Sequence, residues 1–347
     1  MPGMFLAGDI GGTKTLLGLF SPGDGERPTP IEVGEFVTLD YDGLEAIVRE
    51  FLRAQNVSPR QIEVACFGVA GAVTDNIARL SNVPWLVDVR AISERSGLAR
   101  CLLLNDLEAL GYAIPVLEPD ELALLQQGVA VSDGNAAVIA AGTGLGEALL
   151  HNLDGRFVPA ASEGGHANFA PHDHRQLRMA EAMMKVFDHV SVEHVLSGPG
   201  LVNIYQFTHD AFGSAPSFTP STVVPKKLCT GVGQVKDPSE LPALISQAAL
   251  KKRCPQCVEA LEIFVSVYGS EAGNLALRYV ATGGVYVGGG IAPKILAALE
   301  SGTFLDAFHA KGVMKDLVAT IPVSVILNPD AGLTGAAVRA VAALHED

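Results

Sequence analysis

The chain has 347 residues, more than one compact core comfortably holds and about the size of two domains. Apolar residues make up 48% and aromatics 6%, the balance of an α/β enzyme rather than of a disordered or fibrous chain. A formal net charge of −14 argues against a nucleic-acid surface, and no apolar run reaches the length of about 18 residues that a membrane span needs. An acidic chain that binds an anion must do so with local donors, which directs attention to its glycine-rich turns.

Met4 to Ala7 lead into Gly8-Asp9-Ile10-Gly11-Gly12-Thr13-Lys14, after which Thr15 to Phe20 resume an apolar pattern. This predicts a hairpin whose tip offers backbone N–H groups, the Thr13 hydroxyl and the Lys14 ammonium to phosphate oxygens. It is neither the dinucleotide fingerprint nor a P-loop. Asp9, just before the turn, is placed to orient magnesium through water, although the same residue type also serves ordinary Asx-turns. Pro22 to Pro30 read as a loop, Tyr41 to Gln55 as an amphipathic helix and Glu63 to Val69 as a buried strand. The turn Gly68 to Val73 and the loop Asn82-Val83-Pro84-Trp85 either border a ligand cleft or serve the structure alone.

Cys101 to Leu104 read as a strand covered on both faces, and Leu107 begins a helical pattern. Asn105 and Asp106 therefore stand at the carboxyl end of a strand, where open α/β sheets bind small ligands. The competing role for either residue is to cap the helix. Ala136 to Ala141 form another apolar strand entering Gly142-Thr143-Gly144-Leu145-Gly146, which repeats the strand, glycine turn and strand of the first hairpin and implies a duplicated architecture. In Ser162-Glu163-Gly164-Gly165-His166, paired glycines bring an acid and an imidazole into one tight turn, suited to sugar hydroxyls. Glu193 is either a third carboxylate at the site or a favourable charge at a helix N-terminus.

Phe207 to Pro225 read as a polar loop, and Leu241 to Ala249 and Val258 to Tyr279 as long helices. Thr282 to Ile291 is again strand and glycine turn, where Gly288, Gly289 and Gly290 leave room for a flat ring such as adenine. Ile321 to Leu327 read as a strand and Gly332 to Leu344 as a closing helix. Lys226-Lys227 and Lys251-Lys252-Arg253 read as solvated charge. Five cysteines without a basic, apolar leader fit reduced thiols in a cytoplasm. Cys254 and Cys257 have half of a zinc spacing but no second pair nearby in sequence, so no metal or redox role is assigned to them.

Together these segments, in this order and spacing, resemble the bacterial glucokinase family almost from end to end. The resemblance implies a two-domain actin-like (ribonuclease H-like) ATPase fold of hexokinase type with a cleft between domains. Residues 1–116 with 328–347 would form the smaller domain and 117–327 the larger. It implies ATP-dependent phosphorylation of glucose at its 6-hydroxyl by a cytoplasmic homodimer, with Mg²⁺ and without nucleic-acid or membrane partners. Asn105, Asp106, Glu163, His166 and Glu193 would hold the sugar, with Asp106 as general base. Gly11, Gly12 and Thr13 would take one end of the phosphate chain, beside the Asp9 and Lys14 already read from that turn as serving the metal and the phosphates. Gly142, Thr143 and Gly144 would take the other end, and Gly288, Gly289 and Gly290 the adenosine.

The family's pattern is departed from at Lys14, Asn168 and Glu147, and an anion at Glu147 is expected to weaken phosphate binding by the second turn. The Cys254/Cys257 spacing resembles that of relatives without a metal role. Alternatives are a kinase for another hexose or amino sugar, a polyphosphate or ADP donor, and a catalytically silent sugar sensor.

Overall fold

The computed structural model describes residues 3–23, 25–80, 83–210 and 228–346. Asn82, Lys226-Lys227 and most of the expected loop from Phe207 to Pro225 lie outside the described residues.

In chain order the elements are β1 (Met4–Ile10), β2 (Lys14–Ser21), β3 (Thr29–Val37), α1 (Leu44–Ala54) and β4 (Ile62–Val69). Then come the short β5 (Val73–Thr74), β6 (Ile77–Arg79) and β7 (Leu86–Asp88), followed by α2 (Val89–Ser96), β8 (Cys101–Asn105) and α3 (Asp106–Ala113). They are followed by β9 (Leu122–Gln126), β10 (Ala136–Ala141), β11 (Leu145–Leu153), β12 (Arg156–Ser162), α4 (His174–Met183), α5 (Gly198–Thr208), α6 (Leu241–Leu250) and α7 (Pro255–Tyr279). The last are β13 (Gly284–Gly288), α8 (Leu296–Leu299), α9 (Thr303–His309), α10 (Lys315–Thr320), β14 (Val323–Ile326) and α11 (Ala331–Ala342). Two compact units result: Met1–Glu121 with Arg156–Ala161 and Asn328–Asp347, and Leu122–Gly155 with Ser162–Leu327.

The first unit is built on a sheet of order β3-β2-β1-β4-β8, with β1 antiparallel to β2 and parallel to β4. Side chains alternate between its faces, as a period of two requires. Leu6, Ile10, Leu17, Leu19, Ala65 and Phe67 enter a core covered by α1, whose Leu44, Ile47, Val48, Phe51 and Leu52 follow helical spacing. Phe5, Ala7, Leu16, Phe20, Val64 and Cys66 face the other way, onto Leu333, Ala336, Ala337 and Ala340 of α11. One expectation changes here: strand β8 is half-buried at the sheet's edge rather than covered on both faces. Trp85 is buried in the α1-side core, the structural one of the two roles open to its loop.

The other large sheet has the order β12-β11-β10-β13-β14-β9. Its first five places repeat the arrangement of the first sheet: a hairpin antiparallel at the glycine turn, then parallel strands on the far side of the first hairpin strand. Strand β9 extends it antiparallel to β14. The duplication inferred from two glycine turns is therefore a duplication of sheet topology. In the second unit the core gathers around α7, a helix of 25 residues that buries Phe264, Tyr268, Ala272 and Leu275 among others.

Candidate active site

In the first unit, Ile10, Val69 and Asn105 are register partners across β1, β4 and β8, so the three parallel strands end together. The β1–β2 turn is closed by a hydrogen bond from Gly11 N to Lys14 O (3.0 Å), and Thr38 steadies it by donating through Oγ1 to Gly11 O (2.9 Å). Asp9 is partly buried beneath this turn. Burial pushes its carboxyl up to about 6, with the Asp330 charge adding to the rise and Lys14 opposing it. Lys14 Nζ lies 3.2 Å from Glu35 Oε2, a pairing between two well-exposed side chains. Such a pair is held weakly enough for the ammonium to be redirected.

Helix α3 starts where it does because Asn105 caps it. Asn105 Oδ1 accepts from Leu107 N (2.9 Å), while Glu108 reaches back to accept from Asn105 N (2.9 Å), a reciprocal capping box. Asn105 Nδ2 also donates to Gly71 O at 3.1 Å, tying the turn after β4 to the end of β8. Asp106 is the first helical residue, and its Oδ1 accepts from Leu107 N at 3.0 Å. Of the two residues considered as caps, Asn105 fills that role. Asp106 sits half-exposed beside it at the strand ends.

In the second unit the two glycine turns are neighbours, because Ala140 of β10 and Gly288 of β13 are parallel register partners. Gly142 N donates to Gly144 O (2.8 Å), and Gly142 O accepts from Gly198 N (2.8 Å), which anchors the first turn to the start of α5. Thr143 is exposed at its tip. Gly289 adopts φ +82°, and a Cβ there would strike the Ala141 carbonyl, so only glycine lets the second turn lie this close to the first. A residue that sequence reading missed joins them. The Tyr268 hydroxyl accepts from Ala141 N (3.1 Å) and donates to Gly288 O (3.2 Å). Nothing local marks this residue, since its partners lie 127 and 20 positions away.

Glu193 links the remaining pieces. Its Oε2 accepts from Leu145 N (2.8 Å), and its backbone N–H donates to Gly165 O (2.8 Å). A Cβ on Gly144 would come within 2.5 Å of the same carboxylate oxygen, so the glycine makes room for it. Helix α5 begins at Gly198 under a Ser197 cap, so Glu193 is not a charge at that helix terminus. Glu163 and His166 are exposed on the turn held by Gly165, with Glu163 Oε2 and His166 Nε2 3.8 Å apart. Asn168 Oδ1 meets His189 Nε2 at 2.6 Å.

Glu147 behaves differently from the expectation. It is 1% exposed within β11 and lies behind Gly164, with Oε1 unpartnered and Oε2 3.7 Å from Arg278 Nη1. Burial, together with the nearby Glu271, pushes its carboxyl up to about 7, against the pull of Arg278. Its carboxyl therefore carries less than a full negative charge at neutral pH, and it is buried behind Gly164 rather than exposed at the phosphate turn.

Thus the first unit gathers Asp9, the 11–14 turn, Asn105 and Asp106 at one sheet end. The second gathers 142–144, 163–166, Glu193 and 288–290. Comparison with known proteins gives these sets a context. A sequence model of the glucokinase family matches residues 6–343. A glucokinase from Nostoc punctiforme is 39% identical over 97% of this chain and 98% of its own length. Among solved structures, a glucokinase from an Antarctic psychrotroph superposes with a TM-score of 0.81 at 28% identity, covering 99% of this chain and 100% of that one. A ROK family glucokinase from Streptomyces griseus, solved with glucose and AMPPNP, shares the fold alone, at a TM-score of 0.65 and 21% identity over 98% of this chain and 100% of its own. The duplicated sheet is that of an actin-like ATPase, and the chain belongs to the glucokinase family.

Proposed function

We propose that this protein transfers the terminal phosphoryl group of ATP to the 6-hydroxyl of glucose, with Asp106 as general base. The observation that carries the base assignment is the capping box. Because Asn105 and Glu108 start α3, a carboxylate at position 106 is not needed as the cap, yet it stands at the carboxyl ends of three parallel strands. Asn105, whose second amide hydrogen remains for a ligand, would join Asp106, Glu163, His166 and Glu193 in holding sugar hydroxyls.

Phosphoryl transfer depends mainly on positioning and on stabilising charge. The amides of Gly11, Gly12, Gly142 and Gly144 with the Thr13 and Thr143 hydroxyls would cradle the phosphates, with Lys14 released from Glu35 to assist. The turn at Gly288, Gly289 and Gly290 would receive the adenosine. A magnesium ion, when bound with the nucleotide, offsets phosphate charge. Asp9 fits the task of holding it through water, since its carboxyl is raised by burial and by Asp330, a state that a nearby cation relieves. The protein acts as a homodimer in the cytoplasm.

The test is a coupled ADP-release assay with glucose, ATP and Mg²⁺, repeated over other hexoses, amino sugars, ADP and polyphosphate. Turnover with glucose and ATP is expected to exceed that with every other pair. Glucose binding without ADP release would instead identify a sugar sensor.

A further inference from the structure

His209, Cys229, Cys254 and Cys257 are dispersed in sequence but converge in the second unit. One ligand atom from each lies within 4.8 Å of all the others. Cys229 Sγ is 3.6 Å from Cys257 Sγ, and Cys254 Sγ is 3.4 Å from His209 Nε2. Zinc–sulfur bonds of about 2.3 Å and zinc–nitrogen bonds of about 2.0–2.1 Å in a tetrahedron require ligand separations of about 3.8 and 3.5 Å. These two edges fall within about 0.2 Å of those lengths, and the others within 4.8 Å.

The surroundings are arranged as a metal-binding imidazole and thiolates need. His209 Nδ1 lies 2.9 Å from the Tyr205 carbonyl, which only accepts, so the proton sits on Nδ1 and the Nε2 lone pair faces the thiols. The Tyr205 ring stacks on His209 at 3.9 Å, and its hydroxyl accepts from Cys229 N at 2.8 Å. Behind Cys229 the chain turns sharply, with Val232 N and Gly233 N both donating to its carbonyl. Cys254 is the N-cap of α7 without making a side-chain cap, and Cys257 lies in that helix's first turn. Both sulfurs thus sit at the positive end of a 25-residue helix, which suits the negative charge that a metal-bound thiolate carries.

We infer that these residues form a Cys₃His zinc site that fastens the beginning of α7 to the end of α5 and to the turn after Cys229. Zinc is the cation that a mixed thiolate and imidazole set in this geometry selects. On binding, the thiols give up their protons to solvent, and the neutral imidazole contributes its lone pair. The four-ligand set is complete in protein atoms, so the role is structural rather than catalytic. Cys254 and Cys257, half of a zinc spacing in the sequence, find their other half 25 or more positions upstream.

The test is metal analysis of the full-length protein, purified under reducing conditions with zinc in the medium and dialysed against metal-free buffer. About one equivalent of zinc per chain is expected, falling roughly tenfold or more in Cys229→Ser and in Cys257→Ser but unchanged in Cys101→Ser. Stripping the metal should lower Tm by roughly 5 °C or more. Should the serine variants not fold, the unaltered protein reloaded with cobalt must show the intense visible bands and sulfur-to-metal charge transfer of a tetrahedral thiolate complex. Zinc below about a tenth of an equivalent in the unaltered protein, equal zinc in the serine variants, or a Cys229–Cys257 disulfide in the purified protein would each overturn the assignment.

Discussion

At the scale of single residues, two carboxyls of this protein do opposite things for reasons their neighbours supply. Asp106 stands half-exposed at the start of α3, next to an asparagine that relieves it of capping. Replacing it with asparagine keeps the shape and removes the proton acceptor, so Asp106→Asn should lower kcat by about 10²–10⁴ while changing the glucose KM little. Steady-state kinetics with glucose as the varied substrate check this, and near-normal turnover would remove Asp106 from the base role.

Glu147 is buried, with one oxygen unpartnered, and its carboxyl is raised to about 7. A carboxyl raised above its unfolded value contributes stability that is complete below that value and gone once pH has risen through about 7. Glu147→Gln, neutral throughout, should therefore gain Tm relative to the parent as pH goes from acidic to mildly alkaline. Parallel melts across that range that keep a constant difference would show that Glu147 does not titrate in the native state.

At the scale of elements, the second unit's glycine turns depend on a helix that touches neither in sequence. Tyr268 projects from α7 and bridges Ala141 N and Gly288 O at the ends of β10 and β13. Tyr268→Phe leaves a buried N–H and a carbonyl without this partner, at a cost of about 1–3 kcal/mol. Because those groups border the turns proposed to hold the nucleotide, KM for ATP should rise several-fold while KM for glucose stays near its starting value. An equal rise in both constants would mean that the phenol supports the unit as a whole rather than the turns.

How far such elements can be read from sequence depends on whether their signals are local. The capping box of α3, the amphipathic α1 and the glycine hairpins show themselves within a few residues. The edge position of β8 and the burial of Trp85 do not, since each is decided by which strands and helices arrive from elsewhere. Glu193 was legible as a site candidate, but its hydrogen bond to Leu145 N joins segments 48 residues apart.

At the scale of the whole molecule, the first unit closes on itself through a polar knot. Arg27 donates from Nη1 and Nη2 to Glu121 (2.6 and 2.8 Å) and from Nη1 to Val116 O (3.1 Å), and Asn328 Nδ2 donates to Glu121 at 2.7 Å. Three distant stretches of chain, including the approach to α11, meet at one carboxylate. The Arg27 side-chain hydrogen bond holds that carboxyl down at about 2, helped by the Glu118 backbone N–H and Asn328. A carboxyl depressed in the folded state adds stability present above its unfolded value and lost as pH falls toward about 2. Arg27→Met should therefore cost about 1–2 kcal/mol at neutral pH, an allowance for partial exposure, and the cost should shrink as the medium is acidified below the ordinary carboxyl range. Denaturant midpoints at neutral and acid pH measure this, and a cost independent of pH would assign the effect to lost packing of the arginine stem.

By itself the sequence determined the repeated strand, glycine turn and strand, the amphipathic helices, and the carboxylate at the end of β8. Each of these is written in residue types a few positions apart, where backbone sterics and side-chain period act. The tertiary structure alone decided that Glu147 is buried with its carboxyl raised, that Tyr268 clasps two glycine turns, and that His209 and Cys229 meet Cys254 and Cys257. Those outcomes depend on which distant segments share a desolvated space. There, burial and a neighbour's charge or lone pair set the chemistry of a side chain, whatever stands next to it in the chain.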